Sequence, residues 1–283
     1  MDFILPRHPV RGMYIIRAME AGPAPLDSDF GRRLAELSQR LFAIAFRLTN
    51  DRERARDLMQ DSVLVAWEKR EQLREPELLF PWARRICVNL FLQEERRSSG
   101  TPSLSIEELE ELEEEGRSLA IPDLGPLPPE LAEVDESVRE IRDACFAAMV
   151  ERLTLYQRVV FALVETFGLS VGEAGATIGI SLSAAKALLG RARRHVIGYF
   201  DANCSLMVAG KPCECLIWKS LVNDRALLRE EARRRGLEAD FGDRNLPPLE
   251  GPRNRERILA MFRHLPPRRP DPAWFDQVLG RLG

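Results

Sequence analysis

The stretch SVGEAGATIGISLSAAKALLGRARR, from Ser170 to Arg194, constrains the fold more tightly than any other, because it carries start and stop signals for two helices in immediate succession. Ser170 is placed to cap a helix, Glu173 completes a capping box three residues on, and Val171, Ala174 and Ile178 form one apolar stripe. Gly179 stops that helix. Ser181 can cap a second one, in which Leu182, Ala185, Leu189 and Ala192 recur every three or four residues as a buried seam. The opposite face then carries Ser183, Ala184, Lys186, Arg191 and Arg194 and is left free. Small residues let a helix start approach base edges and cations anchor phosphates, so the pattern predicts a helix-turn-helix that reads a major groove, with Ser181 at its entry. A surface hairpin with basic residues on its wet side has the same pattern, and the rest of the chain must decide between the two.

Leu, Ala, Glu and Arg dominate the sequence and aromatics make up only 7%, which predicts an all-α protein. At 283 residues and 45% hydrophobic, the chain can bury cores for about two domains. Its net charge of -3 does not advertise nucleic-acid binding, but the charge is segregated. Twelve acidic residues against the single Arg117 lie between Leu104 and Glu136, whereas Arg139 to Phe200 carries eight Lys or Arg against five Asp or Glu. No apolar run approaches a membrane span, and the opening residues lack a signal-peptide core, so a cytoplasmic location is expected. The three histidines, His8, His195 and His264, are scattered, and no nucleophile–base pair or phosphate cradle is present, which argues against an enzyme.

Taken in order, residues 1–28 read as a flexible lead-in with Pro6, Pro9, Pro23 and Pro25. A first helical domain is expected over 29–98. Its first helix carries the stripe Leu34, Leu37, Leu41, Ile44 and Leu48 and ends at Thr49, and Asn50 is placed to cap the next. That second helix buries Ala55, Leu58, Met59, Ser62, Val63 and Ala66, and so presents Asp57, Gln60, Asp61 and Leu64 outward as a surface for a partner or for solvent. The third, from about Phe80 to Arg97, places Trp82, Arg85 and Asn89 at i, i+3 and i+7, with Arg84, Arg96 and Arg97 nearby. An aromatic interleaved with guanidinium groups suits stacking on splayed bases while holding phosphates, although a Trp filling a core beside solvated Arg residues looks the same. Residues 99–132, rich in Pro and Glu, read as an acidic flexible linker whose middle can form a transient helix. Helices resume over 133–200, with a capping box at Thr154 and Gln157 and a stop at Gly168. A mostly helical C-terminal extension follows over 201–283.

These two halves together resemble a bacterial RNA polymerase sigma factor of the extracytoplasmic-function type, in the sigma-70 family, over roughly Phe30 to Phe200. Ala55, Asp57, Leu58, Gln60, Asp61, Ser62, Ala66 and Trp67, and later Trp82, Ile86, Asn89 and Arg96, match the motifs of the family's region 2. Gly168, Leu169, Ser170, Glu173, Ala174, Gly179, Ile180, Ser181, Lys186, Leu189, Arg191, Ala192 and Arg193 match those of region 4. Four positions depart from the pattern: Arg56 replaces an acid, Gln93 an Asp, Gly175 an Ala and Leu188 a common Arg.

The resemblance implies a sigma factor that binds core RNA polymerase and directs promoter recognition and opening. Asp57, Gln60, Asp61 and Leu64 would then dock on polymerase, charge complementing charge. Trp82, Arg84, Arg85, Asn89, Arg96 and Arg97 would meet the -10 promoter element where its strands open. Ser181, Ser183, Ala184, Lys186, Arg191 and Arg194 would read the -35 element as duplex, and the acidic linker would thread the polymerase's basic channels. An anti-sigma partner is compatible with this plan. The competing reading is a stand-alone helix-turn-helix regulator that binds an operator without polymerase.

The extension brings three of the five cysteines together in CSLMVAGKPCEC. Cys204, Cys213 and Cys215 offer thiolates for zinc, with His195 as a candidate fourth ligand. Three reduced thiols in a docking segment fit the same residues.

Overall fold

The computed structural model describes residues 29–100, 103–121 and 152–204, with Cys145, Leu227, Glu230, Arg234, Leu259 and Phe262. The expected lead-in over 1–28, most of the helix expected around Val134 to Ala148, and most of the extension, Cys213 and Cys215 included, lie outside the described residues.

Three helices form the first unit: α1 over Asp29–Thr49, α2 over Arg52–Glu68 and α3 over Leu79–Ser99. The stripe expected on α1 is buried at Leu34, Leu41, Ile44 and Leu48, and packs with Leu58, Met59 and Val63 of α2 and Ile86, Phe91 and Leu92 of α3. Asn50 does not cap α2. It adopts a left-handed φ of 51°, a conformation Asn tolerates, and closes α1 by donating from its amide to Phe46 O at 2.8 Å. Asp51 is the cap, accepting from the Arg54 amide at 2.9 Å.

The acidic segment holds a packed helix rather than a transient one. It is α4, over Ile106–Ser118, opened by a capping box between Ser105 and Glu108. Beyond it come α5 over Leu155–Phe161, which runs on through a π-helical turn at Ala162–Thr166, α6 over Val171–Ile178 and α7 over Leu182–Asn203. α7 outlasts the seam read in the sequence because Val196, Ile197, Tyr199 and Phe200 continue its buried face. At least one part of the extension docks here: Phe262 sets its ring edge-on against Phe161 and Phe200, at 5.4 and 5.7 Å between centroids, and Leu259 is fully buried.

The two units touch through charged groups as well as apolar ones. Glu95 of α3 accepts from Arg54 Nη2 at 2.6 Å and lies 3.9 Å from Arg158 Nη1 of α5, with Glu95 and Arg158 both buried. Burial opposes the charge on Arg54, but hydrogen bonding to Glu95 and the charges of Glu94 and Glu95 outweigh it and hold the guanidinium pKa above its ordinary value. Inside the second unit, Arg193 and Glu165 form a buried pair with nitrogen–oxygen distances of 2.6 and 2.7 Å.

Candidate nucleic-acid interface

The helix-turn-helix is built as its capping signals require. Ser170 Oγ accepts from the Glu173 amide at 3.2 Å, while the Ser170 amide donates to Glu173 Oε2 at 2.9 Å. Gly179 takes φ 77°, and Ser181 Oγ accepts from the Ala184 amide at 3.1 Å to open α7. The unusual Gly175 has a physical reason: a Cβ there would sit 3.1 Å from both Ala185 Cβ and Ile180 O, so glycine lets α6 lie close against α7. Leu188, where an Arg is common, is buried and belongs to the core.

Two expectations about α7 fail. Leu182, assigned to the buried seam, is 52% exposed, and Ala184, assigned to the free face, is fully buried. The face expected to be free is covered by α4. Glu115 Oε2 accepts from Arg191 Nε at 2.8 Å and Glu115 Oε1 accepts from Arg194 Nη2 at 3.0 Å. A Cβ added at Gly116 would run into the Ser183 carbonyl, and one added at Gly190 would lie 2.6 Å from Leu119 Cδ2, so the two backbones approach closely at both points. Leu112 is buried on the same face of α4. Ser183, Lys186, Arg191 and Arg194 remain half-buried. Glu115, Gly116 and Leu119 escaped notice in the sequence although a signal was there: the Ser105–Glu108 capping box precedes Leu109, Leu112, Gly116 and Leu119 at helical spacing.

On α3 the outcome is mixed. Trp82, Arg85 and Asn89 share one face, as does Arg96 one heptad after Asn89. Arg85 and Arg97 are exposed, Trp82 and Asn89 are half-buried, and Arg96 donates from Nη1 to Ser103 Oγ at 2.9 Å. Arg84 does not join them. Two positions after Trp82 it points roughly 200° around the helix, toward the side of Phe80, Val88 and Phe91. It is 8% exposed and its guanidinium carbon lies 5.7 Å from the centre of the Phe80 ring. Burial lowers the Arg84 pKa, the Glu173 carboxylate on α6 partly restores it, and neighbouring Arg40 depresses it further. Arg84 therefore works at the junction of the two units and not on nucleic acid.

The patch on α2 narrows in the same way. Asp57 is exposed and Gln60 and Asp61 are half-buried, but Leu64 keeps only 7% of its surface and offers no docking side chain. Arg56, the departure from the family's acid, is ion-paired with Glu53.

The zinc set does not assemble around His195. His195 and Cys204 are both buried, nine residues apart at α7, which is about 13 Å along a helix axis and too far for one tetrahedral ion. His195 Nδ1 instead contacts Gln157 Oε1 at 3.1 Å. No group of three or more His, Cys, Asp or Glu side chains suited to a metal is found among the described residues. Cys87, buried on α3, has its thiol pKa pushed up to about 12 by burial, despite a hydrogen bond with Ser62, and is inert near neutral pH. Among the described residues no helix is long and apolar enough to cross a membrane.

Comparison with known proteins agrees with this arrangement. The profile of Sigma-70 region 2 matches residues 34–101 and that of Sigma-70 region 4 matches residues 143–196. The extracytoplasmic-function RNA polymerase sigma factor SigG of Mycobacterium tuberculosis is 30% identical over 193 residues, which are 64% of this chain and 52% of SigG. SigE of Mycolicibacterium smegmatis, of the same type, is 26% identical over 169 residues, 59% of this chain and 60% of SigE. The chain thus spans about half the length of the first of these relatives. The sigma factor RpoE from Bartonella quintana, crystallised in complex with the anti-sigma factor NepR, is 23% identical with a TM-score of 0.39, covering 59% of this chain and 93% of that one. With region 2 on α1 to α3 and region 4 on the helices that end in the helix-turn-helix, the chain belongs to the sigma-70 family of RNA polymerase sigma factors.

Proposed function

We propose that the chain is a sigma factor that binds core RNA polymerase and directs promoter recognition and opening. The observation that carries this is the capped helix-turn-helix, with Lys186, Arg191 and Arg194 along its second helix, in a chain whose other unit is region 2. Three surfaces divide the work. Asp57, Gln60 and Asp61 on α2 meet a basic surface of the polymerase. Trp82 and Asn89 on α3 take up bases released from the stack near -10, while Arg85, Arg96 and Arg97 hold the phosphates. Ser181, Ser183, Lys186, Arg191 and Arg194 on α7 engage the -35 duplex. Elements about 25 base pairs apart lie about 85 Å apart along duplex DNA, so the contacts at Glu95–Arg158 and Arg84–Glu173 must part before one molecule reaches both.

Run-off transcription with bacterial core polymerase on genomic fragments tests the proposal. Discrete transcripts that need both the chain and the core polymerase are expected. Shifted palindromic duplexes with no transcript would replace the sigma reading with that of a stand-alone regulator. Asp61→Arg is expected to abolish binding to core polymerase, read by co-elution.

A further inference from the structure

The acidic helix α4 does more than connect the two units. One of its faces carries Leu112, Glu115, Gly116 and Leu119 at i, i+3, i+4 and i+7, and that whole face is spent on α7. Glu115 presents two oxygens to two guanidinium groups one helical turn apart, at 2.8 Å from Arg191 Nε and 3.0 Å from Arg194 Nη2. A DNA phosphate offers the same pair of anionic oxygens to the same donors. At the other end of the face, Gly116 lies against the backbone of Ser183 in the first turn of α7, where a reading helix comes closest to base edges. The outward side of α4 bears Glu107, Glu108, Glu110, Glu111 and Glu114, all exposed, so an approaching duplex meets like charge before it meets α7.

We propose that α4 is an intramolecular occupant of the DNA-reading face, held by Glu115 on Arg191 and Arg194 and by the close approach of Gly116 to Ser183, and that duplex DNA binds α7 only after α4 has left. The proposal rests on the reading of α7 as the DNA-contacting helix. Residue types on α4 fit the role: glycine at the contact with Ser183 is required by space, since any side chain there meets backbone. The population of the uncovered state then scales the apparent affinity of the free protein for duplex.

The full chain, Gly116→Leu, which pushes α4 away sterically, and Glu115→Ala, which removes its charge clamp, are titrated with a short mixed-sequence duplex at low salt by fluorescence anisotropy. Hydrogen exchange at the α4 amides reports release independently of DNA. Both variants should lose α4 protection and bind duplex about tenfold more tightly, and Lys186→Ala added to either should reverse the gain. Undiminished α4 protection in both variants would overturn the proposal, because these contacts would not be what holds the helix. Released α4 with unchanged affinity that Lys186→Ala still lowers would also overturn it, while leaving α7 as the DNA helix. Binding indifferent to Lys186→Ala would bring down both readings together. If Gly116→Leu fails to fold, Glu115→Ala carries the test alone.

Discussion

Helices α3 and α7 both carry a row of polar and cationic residues suited to nucleic acid, yet the structure treats them oppositely. On α3 the guanidinium groups of Arg85 and Arg97 stand exposed, and Arg96 reaches only a serine hydroxyl. On α7 both Arg191 and Arg194 are committed to Glu115, and the helix start is pressed against Gly116. Amphipathicity alone does not separate these cases, because each helix has one apolar and one polar face. The difference lies in the segment between them. A charge run that carries an apolar stripe can fold onto the face its charge complements, whereas α3 has no such neighbour on its polar side.

The contrast is sharpest in what the cations do for folding. Arg193, beside the reading face, is buried against Glu165 inside region 4, and its removal leaves a carboxylate without compensation. Arg193→Ala is expected to cost about 3–5 kcal/mol of stability by urea denaturation. Arg97→Ala, at the exposed end of α3, should stay within about 0.5 kcal/mol. Comparable losses from the two would erase the distinction. A smaller effect separates the faces by function: Trp82→Ala should weaken single-strand binding by the free protein by about 1–3 kcal/mol, because the α3 face needs no uncovering. Single-strand binding unchanged in Trp82→Ala would leave that face without its stacking role.

The sequence shows the helices well because capping is local: Ser170, Gly179 and Ser181 act within one turn of themselves, and all three behave as their types require. It also contains the correction for Arg84, since a helical wheel sets that residue with Phe80, Val88 and Phe91 rather than with Trp82. Leu64 and Ala184 are different. Each lies on the face assigned to it by periodicity, and each is buried, so exposure is decided by tertiary packing that periodicity does not encode. α4 falls between these cases. Its existence was legible in Ser105, Glu108 and the leucine spacing, but its choice of α7 as a surface depends on pairing Glu115 with residues 76 and 79 positions away.

The helix starts extend the comparison to pH. α3 opens at Leu78 with no side-chain cap, whereas α6 opens with the reciprocal bonds of Ser170 and Glu173. The Ser170 hydroxyl, 2.7 Å from Glu173 Oε2, and then the Ser170 amide hold the Glu173 carboxyl below its ordinary pKa, with a lesser pull from Arg84. A carboxyl whose folded pKa lies below its unfolded value of about 4.3 stabilises fully above that value and loses its contribution as pH falls through the folded one. Ser170→Ala is therefore expected to cost about 1 kcal/mol near neutral pH, a penalty that shrinks below about pH 4 as the wild type loses the same bond. Urea denaturation of both proteins from about pH 7 to about pH 3 reads this directly, and amide exchange should place the loss at the start of α6 and not at that of α3. A penalty that stays constant across the range would mean that the ionised Glu173 adds nothing to the cap, and the two helix starts would then differ in geometry alone.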